Sequence, residues 1–226
     1  TYFSAKLQKK LTAELRTRRK QYEYYRDKLL IKNPKSKPMT LGDVGPVSMC
    51  KRIMKSETSP SGDIPFYKIG TFGKEADAFI SRETFEKYKK AYSYPKKGDL
   101  LISAAGTIGR VVAFNGESSY FQDSNIVWIN NDESKVLNTY LYYCYQLRPW
   151  KASAGGTISR LYNDNIRKTV IPVPSIPEQE RIVAILDRFD TLCNDLTSSL
   201  LAEIQARQKQ YEYYRDKLLS FKEASV

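Results

Sequence analysis

Residues 11–30, LTAELRTRRKQYEYYRDKLL, align without a gap on residues 200–219, LLAEIQARQKQYEYYRDKLL. Fifteen of the twenty positions match, and the eleven from Lys20 to Leu30 are identical to those from Lys209 to Leu219. Two copies that bracket one intervening stretch do not make a solenoid, which needs roughly three or more stacked repeats to bury its core. They mark one kind of module boundary used twice.

Both copies read as helix. Into the second run apolar residues at Ile182, Leu186, Phe189, Cys193, Leu196 and Leu200, the alternating four-and-three spacing of a coiled-coil seam. The seam then steps by four to Ile204 and resumes through Arg207, Tyr211, Tyr214 and Leu218. The first copy has the same step, with Leu7, Leu11 and Leu15 followed by Arg18, Tyr22, Tyr25 and Leu29. Such a step is a stutter that locally unwinds a supercoil. Arginine on the seam is tolerable when its stem is buried and its head reaches water. Pro174, Pro177, Glu178 and Glu180 are start signals for the second helix. From Glu178 to Leu219 the helix would extend about 63 Å. The spacing of Tyr22, Tyr24, Tyr25 and of Tyr211, Tyr213, Tyr214 suits packing in a helix pair or on a neighbouring domain. Stacking on unpaired bases is the alternative.

Between the copies the character changes. Asn33-Pro34 and Lys37-Pro38 end the first helix. Short β-rich runs punctuated by glycine follow at 65–69, 99–103, 110–114, 125–129 and 169–171, with one helix expected at about Val136 to Leu147. The pattern predicts an α+β chain: a compact α/β domain over 31–177, preceded by a helix over 1–30 and followed by a long helix over 178–226. Because both helices meet the same domain, they are expected to run antiparallel as a coiled coil.

Composition narrows the function. The 226 residues carry a net charge of +12, unevenly spread. Residues 1–30 hold nine Lys and Arg against three acids, 31–177 hold twenty-one against thirteen, and 178–226 hold seven against nine. A basic first helix and middle domain favour a polyanionic partner, because each neutralised phosphate releases counterions. A basic protein with no nucleic-acid role is the alternative reading of charge alone. No apolar run is long enough to span a membrane and no signal peptide is evident. The chain starts at Thr1 rather than Met, as a fragment of a longer protein would. Cys50, Cys144 and Cys193 are far apart and odd in number, which suits reduced thiols in a cytoplasmic protein. Histidine is absent, which removes the commonest general base and most zinc sites. No catalytic residue, metal ligand or cofactor is expected.

Candidate contacts to DNA come from several places in the middle domain. Gly106-Thr107-Ile108-Gly109-Arg110 is either a phosphate-cradling loop, with Arg110 pairing the anion, or a tight turn whose glycines take positive φ. It lacks the Lys-Ser/Thr of a full phosphate-loop motif. Gln122, Asp123, Ser124 and Asn125 open a strand. Glutamine and asparagine can pair with adenine, whereas Asp-Ser-Asn is also good turn chemistry. Lys51, Arg52 and Lys55 form one basic group, Lys68 and Lys74 flank Thr71-Phe72-Gly73, and Lys151 and Arg160 flank Gly155-Gly156-Thr157. The set expected at the DNA is Lys51, Arg52, Lys68, Thr71, Lys74, Arg110, Gln122, Ser124, Lys151 and Arg160. That expected at a subunit interface is Tyr22, Tyr25, Leu29, Tyr211, Tyr214 and Leu218.

The segments Ile64-Pro65-Phe66-Tyr67-Lys68-Ile69-Gly70, Lys97-Gly98-Asp99-Leu100-Leu101-Ile102-Ser103, Gly106-Thr107-Ile108-Gly109, Asp123-Ser124-Asn125, and Gly155-Gly156-Thr157 through Pro172-Val173-Pro174 to Pro177-Glu178-Gln179-Glu180 carry a further signal. In order and spacing, from about Leu41 to Leu219, they resemble the specificity subunits of type I restriction-modification systems. The resemblance implies target-recognition domains joined by an antiparallel helix pair, with no catalysis of their own. It also implies modification subunits, which methylate adenine using S-adenosylmethionine, and restriction subunits held through them. The family pattern usually has two recognition domains and this chain has one, as a half-subunit that pairs with itself would, or the C-terminal half of a longer chain. In the first case a two-fold homodimer would read a bipartite, inverted-repeat site.

Two other functions compete. Asp123 with Glu133-Ser134-Lys135 superficially fits a metal-dependent nuclease; otherwise Glu133 and Lys135 are surface features. A coiled-coil scaffold whose middle domain binds protein is the other.

Overall fold

The computed structural model describes residues 2–150 and 160–219. The chain runs through α1 (Tyr2–Leu30), β1 (Lys37–Thr40), α2 (Leu41–Val44), β2 (Val47–Ser48), a 3₁₀ turn (Lys55–Glu57), β3 (Ile64–Tyr67), β4 (Phe79–Ile80), α3 (Arg82–Ala91), β5 (Leu100–Ser103), β6 (Val111–Ala113), β7 (Tyr120–Phe121), β8 (Ile126–Ile129), α4 (Asn138–Gln146), α5 (Asn163–Arg167), β9 (Val170–Val173) and α6 (Ile176–Leu219). Helix and sheet are thus mixed. Two compact units result: Asn33–Val183, and Thr1–Lys32 with Ala184–Val226. No described helix is long and apolar enough to cross a membrane.

In the unit Asn33–Val183, the runs Leu100-Leu101-Ile102-Ser103 and Ile126-Val127-Trp128-Ile129 are buried at every position. A strand without polar alternation is one covered on both faces. These two strands pair antiparallel at the centre of a sheet ordered β2-β8-β5-β6. A second sheet, β4-β3-β7, includes one parallel pair, β3 with β7, in which Tyr67 faces Phe121. Its Phe66, Tyr120 and Phe121 join Leu101, Phe114, Ile126 and Trp128 in one aromatic-rich core. Aromatic side chains bury a large apolar area each, which suits a core made of short strands. The third pairing, β1 with β9, sets Lys37 opposite Val173, so the chain enters and leaves this unit on neighbouring strands.

Helix ends follow local chemistry. Ser81 caps α3, its Oγ accepting the Thr84 N–H at 3.2 Å, and Phe85 is its buried anchor. Sequence reading missed α3 because Arg82-Glu83-Thr84-Phe85-Glu86-Lys87-Tyr88 is polar apart from two aromatics. The helix expected at Val136 to Leu147 is observed as α4. Its first N–H, that of Asn138, is taken by Glu133 Oε1 at 2.7 Å. α6 begins at Ile176, two residues before the expected Glu178, with Pro177 in the first turn, where its missing N–H has no helical partner to lose.

In the other unit, the ring of Tyr25 stacks on that of Phe189 with centroids 5.7 Å apart, a contact between α1 and α6. Leu30 is fully buried and Leu29 half-buried, so the closing leucine rather than the expected seam residue is the better covered.

Candidate nucleic-acid interface

The parallel pairing of β3 with β7 places Lys68 beside Gln122, two residues that sequence alone leaves 54 positions apart. The Gln122 N–H donates to the Tyr67 carbonyl at 2.9 Å, and its side-chain Oε1 accepts the Ile69 N–H at 3.0 Å. The next turn is tight: the Asn125 N–H reaches Asp123 O, the Ile126 N–H reaches Gln122 O, and Ser124 takes a φ of 60°. Arg160 Nη2 donates to the Ser124 carbonyl at 2.6 Å, tying the turn to the far end of the domain sequence. Across from it, Arg52 Nε donates to Asp123 Oδ2 at 2.9 Å.

These contacts line an open cleft whose wall includes Arg52, Lys55, Lys68, Gln122, Asp123 and Arg160. Four cations face a single carboxylate there, and Asp123 is already paired. Five of the ten residues expected at the DNA therefore converge: Arg52, Lys68, Gln122, Ser124 and Arg160. Lys68 Nζ also meets Asp77 Oδ1 at 2.8 Å, an exposed pair that costs little to open. Behind the cleft, burial pushes the Cys50 thiol up to about 12, and the Asp123 charge adds to the shift.

The other candidates lie elsewhere. Thr71 closes a turn, its Oγ1 accepting the Lys68 N–H at 3.1 Å. Lys51 Nζ sits over the Tyr92 ring, 5.0 Å from its centroid. Lys74 lines a separate hollow with Phe72, Gly73 and Val112. Arg110 Nη1 donates to the Phe72 carbonyl at 2.7 Å, which ties it to its own domain. Lys151 lies outside the described residues.

The Gly106–Arg110 loop links β5 to β6. Ser103 Oγ accepts the Arg110 N–H at 2.8 Å, and the Gly109 N–H reaches the Ser103 carbonyl. Gly106 and Gly109 have φ of 64° and 75°. A Cβ on Gly109 would lie 2.6 Å from the Trp150 ring, so both backbone conformation and packing require glycine there. The tight turn, rather than a phosphate cradle, accounts for these glycines.

Nor are the acids of the nuclease alternative assembled. Asp123 holds Arg52, Glu133 caps α4, and Lys135 Nζ donates to the Asp43 carbonyl at 3.0 Å. Glu133 is therefore more than the surface feature expected of it. Among the described residues no group of three or more His, Cys, Asp or Glu side chains is placed to hold a metal.

At the helices, Arg26 lies over the Tyr22 ring with its guanidinium carbon 5.9 Å from the centroid. Tyr25 is 38% exposed, and Tyr211 and Tyr214 are 43% and 51% exposed. The side chain of Leu218 lies outside the described residues. What sequence reasoning missed in the cleft is the role of Asp123: its partner Arg52 is 71 positions away, and no local signal joins them.

Comparison with known proteins extends this picture. A family profile for the type I restriction modification DNA specificity domain matches residues 33–206. A protein of Haemophilus influenzae assigned as a type I restriction enzyme specificity subunit is 63% identical over 204 residues, covering 90% of this chain and 53% of that protein. A type I restriction enzyme specificity subunit of Escherichia coli is 34% identical over 227 residues, covering 93% and 55%. Among solved structures, the HsdS subunit from Thermoanaerobacter tengcongensis matches with a TM-score of 0.64 at 16% identity, over 91% of this chain and 53% of that one. The S subunit from M. genitalium matches at 0.57 and 14% identity, over 92% and 56%. The chain thus spans about half the length of the relatives it matches, and the solved structures share its fold. With the profile covering most of the sequence, from the first residues of the α/β unit well into α6, the chain belongs to the family of type I restriction modification DNA specificity domains.

Proposed function

We propose that this chain recognises a specific sequence in duplex DNA as a specificity component of a type I restriction-modification enzyme, with residues 31–177 as its target-recognition domain. The observation that carries this reading is the cleft of Arg52, Lys55, Lys68 and Arg160 around a pinned Gln122–Asn125 turn. Lys55, Lys68 and Arg160, cations suited to phosphates, stand there beside side chains able to read base edges, the division of labour that sequence-specific binding needs. The domain does no chemistry. Methylation and cleavage belong to modification and restriction subunits that the flanking helices hold, in the cytoplasm, where the DNA is.

In this reading α1 and α6 form an antiparallel coiled coil, supported by the stack of Tyr25 on Phe189 and by the heptad-like seam of both helices. The second repeat copy docks on another recognition domain, which for this chain by itself is a second molecule. The chain is then a two-fold homodimer that reads an inverted repeat.

Binding of fluorescent duplexes across a salt series tests the DNA reading. With six or more phosphate contacts, affinity should fall roughly 10³-fold between about 50 and 200 mM salt. A flat salt response, or equal binding by the isolated helices, contradicts it.

A further inference from the structure

The Arg52–Asp123 pair differs from the other cations of the cleft. Lys68 pairs with Asp77, a carboxylate that is itself 59% exposed, and Arg160 is tied to the Ser124 carbonyl; Arg52 is held by a carboxylate that is mostly covered and sits on a turn that is itself pinned. Asp123 is 17% exposed and sits between Gln122, bonded to Ile69, and Ser124, whose carbonyl takes Arg160. The bond runs from Arg52 Nε to Asp123 Oδ2 at 2.9 Å, which leaves the two Nη groups on a side chain that is 67% exposed.

Such an arrangement is poorly suited to a phosphate. The carboxylate cancels much of the guanidinium charge and repels a phosphate oxygen approaching the same edge, so little counterion release would be gained. It is well suited to two neutral acceptors side by side. A guanidinium whose Nε is fixed presents its two Nη donors in a fixed plane, and fixing that plane beforehand reduces the ordering cost of binding. In the major groove only guanine offers two adjacent acceptors, O6 and N7. Adenine puts an amino donor in place of O6, which would face an arginine N–H.

We propose that Arg52 is a specificity-determining residue that reads one guanine of the target through its Nη groups, and that Asp123 is the residue that positions it. The assignment rests on the DNA-recognition reading above and adds to it the base and the side chain. Charge at Lys55, Lys68 and Arg160 contributes binding that is indifferent to sequence; Arg52 contributes preference at one base pair.

The test is selection of bound duplexes from a random pool by the full chain and by Arg52→Gln and Asp123→Asn, with thermal unfolding of each variant as a check on folding. The wild type should show a guanine at one position of the selected site. Arg52→Gln should lower preference for that guanine by roughly 5- to 150-fold, while the remaining positions and the salt dependence persist. Asp123→Asn, which keeps shape and removes the anchoring charge, should weaken preference at that same position and no other. If the wild type selects a sequence and Arg52→Gln selects the same one at equal strength, Arg52 is not the reader. If Asp123→Asn leaves the guanine preference intact, the positioning role is lost. If the wild-type chain binds all duplexes alike or none, the DNA-recognition reading falls and takes this assignment with it.

Discussion

Gln179 is fully buried and uses its whole amide: Nε2 donates to the carbonyls of Lys135 and Pro174, both at 2.9 Å, and Oε1 accepts the Leu137 N–H at 2.9 Å. One side chain thereby joins the strand exit before α6 to the segment that leads into α4. Removing it takes the partner from three backbone groups, one in a buried bond and two in partly buried ones, and a covered group without a partner is costly. Gln179→Ala should lower the unfolding free energy by about 3 kcal/mol, measured by urea denaturation with the slope unchanged. A loss below about 0.5 kcal/mol, the usual range of surface substitutions, would mean that water replaces these bonds freely. In the sequence, Pro177-Glu178-Gln179-Glu180 is legible as a helix start, and as a segment resembling a family. The reason for a glutamine is not legible, because its partners come from residues 135, 137 and 174. The cleft has the same character: its basic residues stand out as charge, but Asp123 gains its meaning only when the β3–β7 pairing brings the Gln122–Asn125 turn across from Arg52.

Elements were read from the sequence to the extent that their signal was local. The apolar runs of β5 and β8, the turn glycines between β5 and β6, and the long α6 all announce themselves within a few residues. The two-residue strands β2, β4 and β7 do not, since they exist only through their partners, and α3 hides behind its polar face. The start of α6 makes a pH prediction. In its first turn Glu178 accepts two bonds from Arg181, at 2.7 and 2.9 Å, and one from Asn33 at 3.2 Å. The Arg181 bonds above all, with help from Asn33 and against some burial, hold the carboxyl down at about 2, below the ordinary 4.5. A carboxylate whose pKa is lower in the folded state stabilises the fold above its unfolded pKa and loses that stabilisation on acidification. The contribution should therefore be complete above about pH 4.5 and decline as pH falls toward 2. Glu178→Gln should be less stable than the wild type at pH 6 and approach it near pH 2. A difference that is constant with pH would contradict the charged pairing.

At the scale of the whole molecule, one sequence occurs in two settings. Both copies of the repeat build the same local structure: Tyr24 and Tyr25 meet edge to face at 5.4 Å, Tyr213 and Tyr214 at 5.3 Å, and Arg26–Asp27 and Arg215–Asp216 form matching ion pairs. Their surroundings differ. The Arg26 side chain is 17% exposed and Arg215 49%; Tyr25 is 38% exposed and Tyr214 51%. Every residue of α6 from Gln205 to Lys217 is exposed, although that stretch carries the same tyrosines as α1. Identical residues with the same internal contacts but less cover point to a surface that awaits its neighbour. In the proposed homodimer that neighbour is a second chain, with residues 211–219 of one molecule packing near the recognition domain of the other. Exposed tyrosines are good material for such a contact, since they bury much area at little entropic cost. Deleting residues 206–226 should then weaken self-association at least tenfold, measured by sedimentation equilibrium, while the thermal transition of the α/β unit and its tryptophan fluorescence stay as they are. Affinity for a half-site should survive the deletion, and the added affinity for an inverted repeat should disappear with the dimer. A wild-type chain that sediments as a monomer at tens of micromolar, or a dimer unmoved by the deletion, would show that the second copy serves some other contact.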